Sequence, residues 1–169
     1  SGSGKTTLLK LIARQLKQDS GRIEIKNKDT NNLNKVELNE LRKDVSILFQ
    51  GGALFSDLNV FENIAFQVRE HTNLPENLIK DLVLLKLQSV GLRGTNHLMP
   101  SELSTGMAKR IALARTVALD PSIVMYDEPF SGQDPISMMT LMKLIALLNS
   151  SLKLTSIIVS HDVHETLKI

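Results

Sequence analysis

The chain has 169 residues, of which 42% are apolar and 22% charged. This length and composition predict one buried core and a single domain. Its 20 basic and 18 acidic residues leave a formal net charge of +2, which gives no electrostatic case for a nucleic-acid surface. The absence of cysteine excludes disulfides and thiolate metal sites. No stretch approaches the roughly 18 uncharged apolar residues of a membrane span, so we expect that the chain does not itself cross a bilayer.

The first part of the chain predicts a helix, a strand, a second helix and a second strand. A Gly-rich loop leads into "TTLLKLIARQL", where apolar residues recur at helical spacing. "SGRIEI" predicts a short strand, and "NKVELNELRKDVSILFQ" predicts a polar helix followed by an apolar strand from Val45 to Phe49. The next segments, "NVFENIAFQVREH", "PENLIKDLVLLKLQSVGL" and "STGMAKRIALARTVAL", are helical, with Pro75 at a helix start and Gly91 at a stop. We interpret residues 51–119 as a helical lobe inserted into a sheet.

The last part alternates strand, helix and strand: "SIVMYDEP", "ISMMTLMKLIALLNSSL" and "TSIIVSHD". Continuous apolar strands that alternate with helices predict an α/β fold with a mainly parallel sheet covered on both faces, formed by residues 1–50 and 120–169. Ligands of such sheets bind beyond the carboxyl ends of the strands. Four polar residues fall at those ends, so we expect them to share one site: Gln50, Asp127, Glu128 and His161.

The opening "SGSGKTT" contains the second half of a phosphate-binding loop, the pattern G-x-x-x-x-G-K-[ST]. Gly2 and Gly4 let backbone N–H groups converge on phosphate oxygens, Lys5 neutralises phosphate charge, and the Thr6 hydroxyl is suited to ligate Mg²⁺. Ordinary capping by a Gly/Ser turn is the simpler alternative, but Gly-Lys-Thr directly before a helix favours phosphate binding. The predicted phosphate-binding residues are Ser1, Gly2, Ser3, Gly4, Lys5, Thr6 and Thr7.

The pattern's first Gly would lie before Ser1, and no initiator Met is present. We therefore expect the sequence to be truncated, without the β region and strand that would precede the loop. It also stops at Ile169, just inside a predicted helix.

Two adjacent acids, Asp127 and Glu128, favour nucleotide hydrolysis over phosphate transfer to a hydroxyl. Asp127 ends an apolar strand and is suited to hold Mg²⁺ through its water shell, while Glu128 is suited to align and polarise a water in line with a γ-phosphate. Two neighbouring acids on a strand are often only one buried and one solvated carboxylate. Their position after a phosphate loop favours the catalytic interpretation.

With these residues the chain resembles the nucleotide-binding subunits of ATP-binding cassette (ABC) transporters. "LSTGM", residues 103–107, is similar to the signature motif, and "SGQD", residues 131–134, occupies the D-loop position. Gln50 and His161 resemble the Q-loop glutamine and the switch histidine. The resemblance implies a P-loop NTPase fold, ATP hydrolysis by Glu128, Gln50 and His161, and Mg²⁺ held at Thr6, Gln50 and Asp127.

Ser104 and Gly106 begin a predicted helix, where a hydroxyl and backbone N–H groups at the positive end suit an anion. The resemblance implies that this site faces ATP on a second ATPase subunit, so that a homodimer sandwiches two nucleotides. Plain helix capping by Ser104 is the alternative. Thr105 and Met107 depart from the usual Gly and Gln of the motif.

Within the family, "LFQGGALFSDLNVFENIAF", "LMPSELSTGM" and "DEPFSGQDPI" resemble the ATPase subunits of Mla-type systems, which move phospholipids between the two membranes of Gram-negative bacteria. The resemblance implies a peripheral position on the cytoplasmic face of the inner membrane, through a permease that docks near residues 50–62 and the helical lobe. The apolar residues of that segment either line the docking groove or, as we favour for most of them, build the lobe's own core: Leu54, Phe55, Leu58, Val60 and Phe61.

Two other functions remain open. One is an ABC importer for another substrate, and the other is a soluble ABC ATPase that acts on ribosomes or DNA. The near-neutral charge gives the second no support, and we expect no nucleic-acid partner.

Overall fold

The computed structural model of the chain describes residues 2–161. A three-stranded sheet carries helices on both faces, and a separate two-stranded ribbon lies near the first helix along the chain. In chain order the helices and strands are α1 (Lys5–Ile12), β1 (Glu24–Ile25), β2 (Lys28–Asp29), α2 (Lys35–Asp44), β3 (Val45–Leu48), α3 (Val60–His71), α4 (Glu76–Ser89), a 3₁₀ turn (Pro100–Glu102), α5 (Thr105–Thr116), β4 (Ile123–Asp127), α6 (Pro135–Leu152) and β5 (Thr155–Val159).

Strands β3, β4 and β5 lie side by side in that order and all run parallel. Val45 pairs with Ile123, and Ile123 pairs with Thr155, so the three strands start at the same level. Their carboxyl ends consequently meet at one edge of the sheet, immediately before Gln50, Glu128 and His161. The predicted α/β fold with a parallel sheet is confirmed.

The central strand β4 supplies side chains to both faces because successive residues of a strand point to opposite sides. Val124 and Tyr126 belong to the larger core, which α3, α4, α5 and α6 cover. Met125 belongs to the smaller core, with Leu9 of α1 and Ile25 of β1. Burial on both faces explains why the strands read as continuous apolar runs.

The helices of the predicted lobe pack on one another and on the sheet. Residues of α3, α4 and α5 share a single buried cluster with strand residues such as Leu48 and Val124. The described lobe therefore shares its core with the sheet. Its division at residues 51 and 119 stays a prediction.

Local signals account for most helix boundaries. Asn34 and Glu37 form a reciprocal capping box at the start of α2. Asp134 caps α6, and hydrogen bonds from Ser137 hold the pKa of its carboxyl below the usual value. Pro75 occupies the N-cap position of α4, and Gly91, with φ 69°, follows its end as predicted.

Two local features differ from the sequence expectation. The first helix ends at Ile12 because Arg14 takes a left-handed conformation with φ 55°. The strand predicted at "SGRIEI" is present as β1, but it pairs in a hairpin with a second strand, β2, that was not predicted. Its turn residues Lys26 and Asn27 both have positive φ, as a two-residue type I′ turn requires.

Helix α6 is the one helix among residues 2–161 whose length and composition would suit a bilayer span, with a mean hydropathy of 1.3 over 18 residues. It connects the adjacent parallel strands β4 and β5. One of its sides, including Leu141 and Ile145, is fully buried in the core. Ile136, Met139 and Leu147 remain exposed. The helix thus serves as the crossover of a strand–helix–strand unit.

Truncating Leu87 tests whether the α4 core stabilises the fold. Leu87 is fully buried, whereas Leu85 on the same helix is 64% exposed. Leu87→Ala should lower the free energy of unfolding by about 2–5 kcal/mol, because it removes buried methyl groups and leaves a cavity. Leu85→Ala should change it by no more than about 0.5 kcal/mol. Urea unfolding measures both, and equal effects of the two substitutions would contradict the assigned packing of α4.

Candidate nucleotide-binding site

One open cleft of about 550 Å³ lies beyond the carboxyl ends of the three parallel strands. It is lined by the loop before α1 together with the residues at the strand ends, namely Gly2, Ser3, Gly4, Lys5, Thr6, Thr7, Gln50, Asp127, Glu128 and His161. The structure therefore brings together the described residues that the sequence predicts for the phosphates, the metal and the chemistry. Ser1, also predicted to bind phosphate, lies outside the described residues.

The loop that enters α1 has the backbone form of an anion site. Gly2 and Gly4 have φ values of 85° and 81°, which are accessible to glycine without strain. Gly4 is the N-cap of α1, and no side chain accepts a hydrogen bond from the first N–H groups of the helix. The cleft lies at the N-terminus of α1, where backbone N–H groups and the positive end of the helix dipole favour an anion.

The Thr6 hydroxyl and the Asp127 carboxylate are hydrogen-bonded to each other in the wall of the cleft. Thr6 Oγ1 donates to Asp127 Oδ2 at 2.8 Å, with Oδ1 at 3.1 Å. Asp127 is only 4% exposed. This bond ties the start of α1 to the end of β4, and it places two oxygen ligands side by side.

These oxygens suit Mg²⁺, which prefers hard oxygen donors and usually keeps several waters while also binding substrate phosphates. Gln50 lines the same cleft and adds an amide oxygen. Residues 2–161 contain no cluster of three or more acidic or histidine side chains that would hold a metal without such help. The donor set therefore fits a cation that is shared with bound phosphates.

The backbone of Glu128 is both strained and hydrogen-bonded on each side. Its φ of 48° is left-handed, a conformation that costs a non-glycine residue roughly 1–3 kcal/mol and is common at functional sites. Its backbone is held on both sides, because Glu128 N donates to the Val159 carbonyl at 2.9 Å and Ser131 N donates to the Glu128 carbonyl at 3.2 Å. These two backbone hydrogen bonds therefore fix the point from which the Glu128 side chain extends.

The Glu128 carboxylate contacts two other predicted site residues. Its Oε2 lies 2.6 Å from His161 Nδ1 and also accepts the His161 backbone N–H at 3.2 Å. Its Oε1 lies 4.0 Å from Lys5 Nζ, and Lys5 Nζ also lies 3.3 Å from Ser3 Oγ. Lys5, Glu128 and His161 thus form one chain of contacts across the cleft.

Gln50 connects the cleft to the loop after Glu128. Its Nε2 donates to Ser131 Oγ at 3.2 Å. Ser131 belongs to the "SGQD" segment that the sequence singled out, although its contact with Gln50 could not be predicted from spacing alone.

Ser104 and Gly106 do not line this cleft. Ser104 is the N-cap of α5, and its Oγ accepts from Met107 N at 3.2 Å, so the capping alternative describes this bond correctly. Gly106 also has a packing reason, because a Cβ added there would lie 2.9 Å from Ser137 Oγ of α6. Their contact with a nucleotide on another subunit stays a prediction.

Two cations near the site, the buried Lys109 and the half-buried Arg115, were not predicted as site residues from the sequence. Lys109 Nζ donates to the Pro129 carbonyl at 2.8 Å and to the Ser131 carbonyl. Arg115 Nη2 donates to the Gly52 carbonyl at 2.8 Å. Burial lowers the pKa of both side chains. Their one sequence signal is the presence of basic residues among the apolar residues of "AKRIALART".

The comparisons with known proteins come from sequence and from structure. Over all 169 residues the chain is 60% identical to the intermembrane phospholipid transport system ATP-binding protein MlaF of Haemophilus influenzae, and 54% identical to MlaF of Escherichia coli. It spans 64% and 63% of the lengths of those two proteins.

The fold is similar to that of MJ0796, a bacterial ABC transporter cassette solved as a dimer. The TM-score is 0.87 at 30% identity, over 98% of this chain and 73% of that one. A post-hydrolysis dimer of MJ0796 bound to ADP and Pi has a TM-score of 0.85 at 30% identity, over 97% of this chain and 72% of that one.

The family model for the ABC transporter domain matches residues 1–131, which include the phosphate loop, Gln50, the signature segment and Glu128. The match covers more than half of the chain. The chain therefore belongs to the ABC transporter family.

Proposed function

We propose that the chain is the catalytic part of an ATP-hydrolysing motor subunit of an ABC transporter that moves phospholipids between bacterial membranes. The observation that carries this proposal is the cleft in which Glu128 contacts both Lys5 and His161 beside the loop of α1. Its dimensions and its donors suit the triphosphate of ATP. The names of the two MlaF relatives support the phospholipid assignment.

In the proposed mechanism the α1 loop binds the triphosphate. Backbone N–H groups of residues 2–7 and the positive end of α1 face the phosphate oxygens, and Lys5 neutralises charge on the terminal phosphates. Thr6, Gln50 and Asp127 would hold Mg²⁺, which supplies charge neutralisation on the phosphates when bound. The existing bond between Thr6 and Asp127 keeps these two groups in place before a ligand arrives.

Glu128 then aligns a water against the γ-phosphorus. The water oxygen forms a bond to phosphorus, the bond to the β–γ bridging oxygen breaks, and ADP and phosphate result, with the water's proton directed to the Glu128 carboxylate. In the present geometry Oε2 of Glu128 faces His161 and Oε1 faces Lys5, so both carboxylate oxygens already have a contact. Catalysis therefore requires that these contacts of the carboxylate be replaced by contacts with the γ-phosphate. Contact with the γ-phosphate is the role that we assign to His161.

A second copy of the subunit would complete each site. Ser104 and the start of α5 lie outside the cleft and are exposed, which suits contact with a nucleotide held by a partner. The similar cassette MJ0796 forms dimers. We propose a homodimer that closes on two ATP molecules and opens after hydrolysis.

The permease would dock in a groove beside the cleft. This groove, of about 610 Å³, is lined by residues of β3, by Ala53 and Phe55 of the loop that follows it, and by residues of α3. Phe55 and Phe66 meet there edge to face, with ring centroids 5.4 Å apart, yet they remain 47% and 45% exposed. Aromatic side chains of this kind are typical anchors of protein interfaces.

The other apolar residues of this segment are not available to a partner in the same way. Val60 is fully buried, and Leu54 and Phe61 pack against the main core. Phe49 lines the groove and Gln50, the next residue in the chain, lines the cleft, so docking there would place the permease next to the cleft. Attachment through it would hold the subunit peripherally at the cytoplasmic face of the inner membrane.

Replacing Phe55 tests the docking proposal. Phe55→Ser in the complete gene product should weaken binding to its membrane permease by about 10-fold or more, because it removes an aromatic anchor. Binding of ATP should stay unchanged. Co-purification from membranes measures the first effect and nucleotide titration the second. Leu147→Ser, which changes a 56% exposed residue of α6, is the control. Equal co-purification of the two variants would place the docking surface elsewhere.

Glu128→Gln in the complete gene product tests the catalytic proposal. It should reduce kcat for ATP hydrolysis by about 100- to 10,000-fold, since the amide cannot accept the proton, while ATP binding persists. Lys5→Ala should instead lose binding, and Glu40→Gln on the exposed side of α2 should leave both properties as they are. Wild-type turnover in Glu128→Gln would remove Glu128 from the mechanism.

A further inference from the structure

The loop between β4 and α6 positions Glu128 at the cleft and leads into the start of α6. It forms a turn in which Ser131 N donates to the Glu128 carbonyl at 3.2 Å. Gln133 Nε2 donates to the Pro129 carbonyl at 3.0 Å, and Gly132 has φ 69°. Two carbonyls of this turn, those of Pro129 and Ser131, accept hydrogen bonds from α5.

Lys109 of α5 occupies the space behind that turn. It is 6% exposed, and its ammonium donates to the carbonyls of Pro129 and Ser131. Among residues 2–161 it makes no ion pair, and burial alone lowers its pKa. The cation is therefore compensated by the carbonyl oxygens of the loop that follows Glu128.

Burying a cation without a carboxylate partner lowers the free energy of unfolding, because the charge loses its hydration. An apolar side chain would fill the same space, but it could not bond to two carbonyls of an irregular turn. Bonds from a charged donor are about twice as strong as neutral ones and are directional. The two bonds from Lys109 therefore specify the position of the turn relative to α5.

Helix α5 carries the signature segment at its start. Lys109 lies less than two turns of helix after Ser104. A shift of α5 would move the ammonium, and through it the turn whose first residue is Glu128. Gln50 also contacts this turn, because its side chain donates a hydrogen bond to Ser131 Oγ.

We propose that Lys109 is a positioning residue, whose bonds to Pro129 and Ser131 fix the Glu128 turn to α5 and so couple the signature helix to the catalytic carboxylate. The catalytic part of this inference rests on the proposed ATPase function. The structural part, that Lys109 orders the turn, does not.

The test uses Lys109→Met, which keeps the length of the stem and removes the donor, and Lys109→Arg, which keeps a charged donor. Lys80→Met, at an exposed position of α4, is the matched control. Each variant is made in the complete gene product. We measure kcat and KM for ATP, thermal unfolding, and hydrogen exchange of the amides of residues 128–134.

Lys109→Met should lower kcat roughly 10- to 100-fold with KM for ATP changed by less than about twofold, because a misplaced catalytic group slows chemistry without loosening the phosphate site. Exchange of the Ser131 amide should become faster while the core helices stay protected. Lys109→Arg should restore most of kcat, and Lys80→Met should match the wild type.

Two results would overturn the inference. One is unchanged exchange in residues 128–134 of Lys109→Met. The other is a loss of kcat that accompanies an equal loss of protection throughout the core, with no recovery in Lys109→Arg, which would make Lys109 a residue of general stability. If Lys109→Met does not fold, Lys109→Gln, a neutral donor, undergoes the same measurements. A wild type without ATPase activity refutes the proposed function alone, since the exchange data still decide whether Lys109 orders the turn.

Discussion

Parallel pairing of β3, β4 and β5 in one register is the constraint from which the site follows. Because Val45, Ile123 and Thr155 lie at the same level, the three strands end together. Residues that are far apart along the chain then meet at one edge. The bond from Thr6 to Asp127 completes the arrangement by joining the start of α1 to the end of the central strand, 121 residues later. Without that register, Gln50 and His161 would not meet the two acids at the end of β4.

The site also depends on strain and burial that the surrounding fold supports. Glu128 adopts a left-handed backbone, held by the Val159 carbonyl on one side and by Ser131 on the other. The buried Lys109 and the half-buried Arg115 are cations whose partners are backbone carbonyls. Such arrangements reduce stability unless every polar group is satisfied. Their concentration around one turn and one loop indicates that the fold specifies the positions of Glu128 and Gln50 closely.

Much of this was predictable from the sequence, and the reasons are physical. The strands β3, β4 and β5 are apolar runs bounded by polar residues, so their existence, their parallel arrangement and the meeting of Gln50, Asp127, Glu128 and His161 followed from pattern alone. The second strand of the hairpin, β2, was missed because it has only two residues and because the turn before it uses Lys26 and Asn27 where a glycine would have been the usual signal. The roles of Lys109 and of the Phe55–Phe66 pair depend on tertiary contacts, which no local pattern encodes.

The central claim is that Lys5, Glu128 and His161 surround one magnesium-bound triphosphate. A structure of the complete gene product carrying Glu128→Gln, determined with ATP and Mg²⁺, tests it most directly. The account predicts the γ-phosphate between Lys5 and residue 128, within hydrogen-bond distance of His161, with Mg²⁺ at Thr6 and Asp127. A nucleotide bound away from the α1 loop, or one whose γ-phosphate leaves Lys5 and His161 without contact, would contradict it.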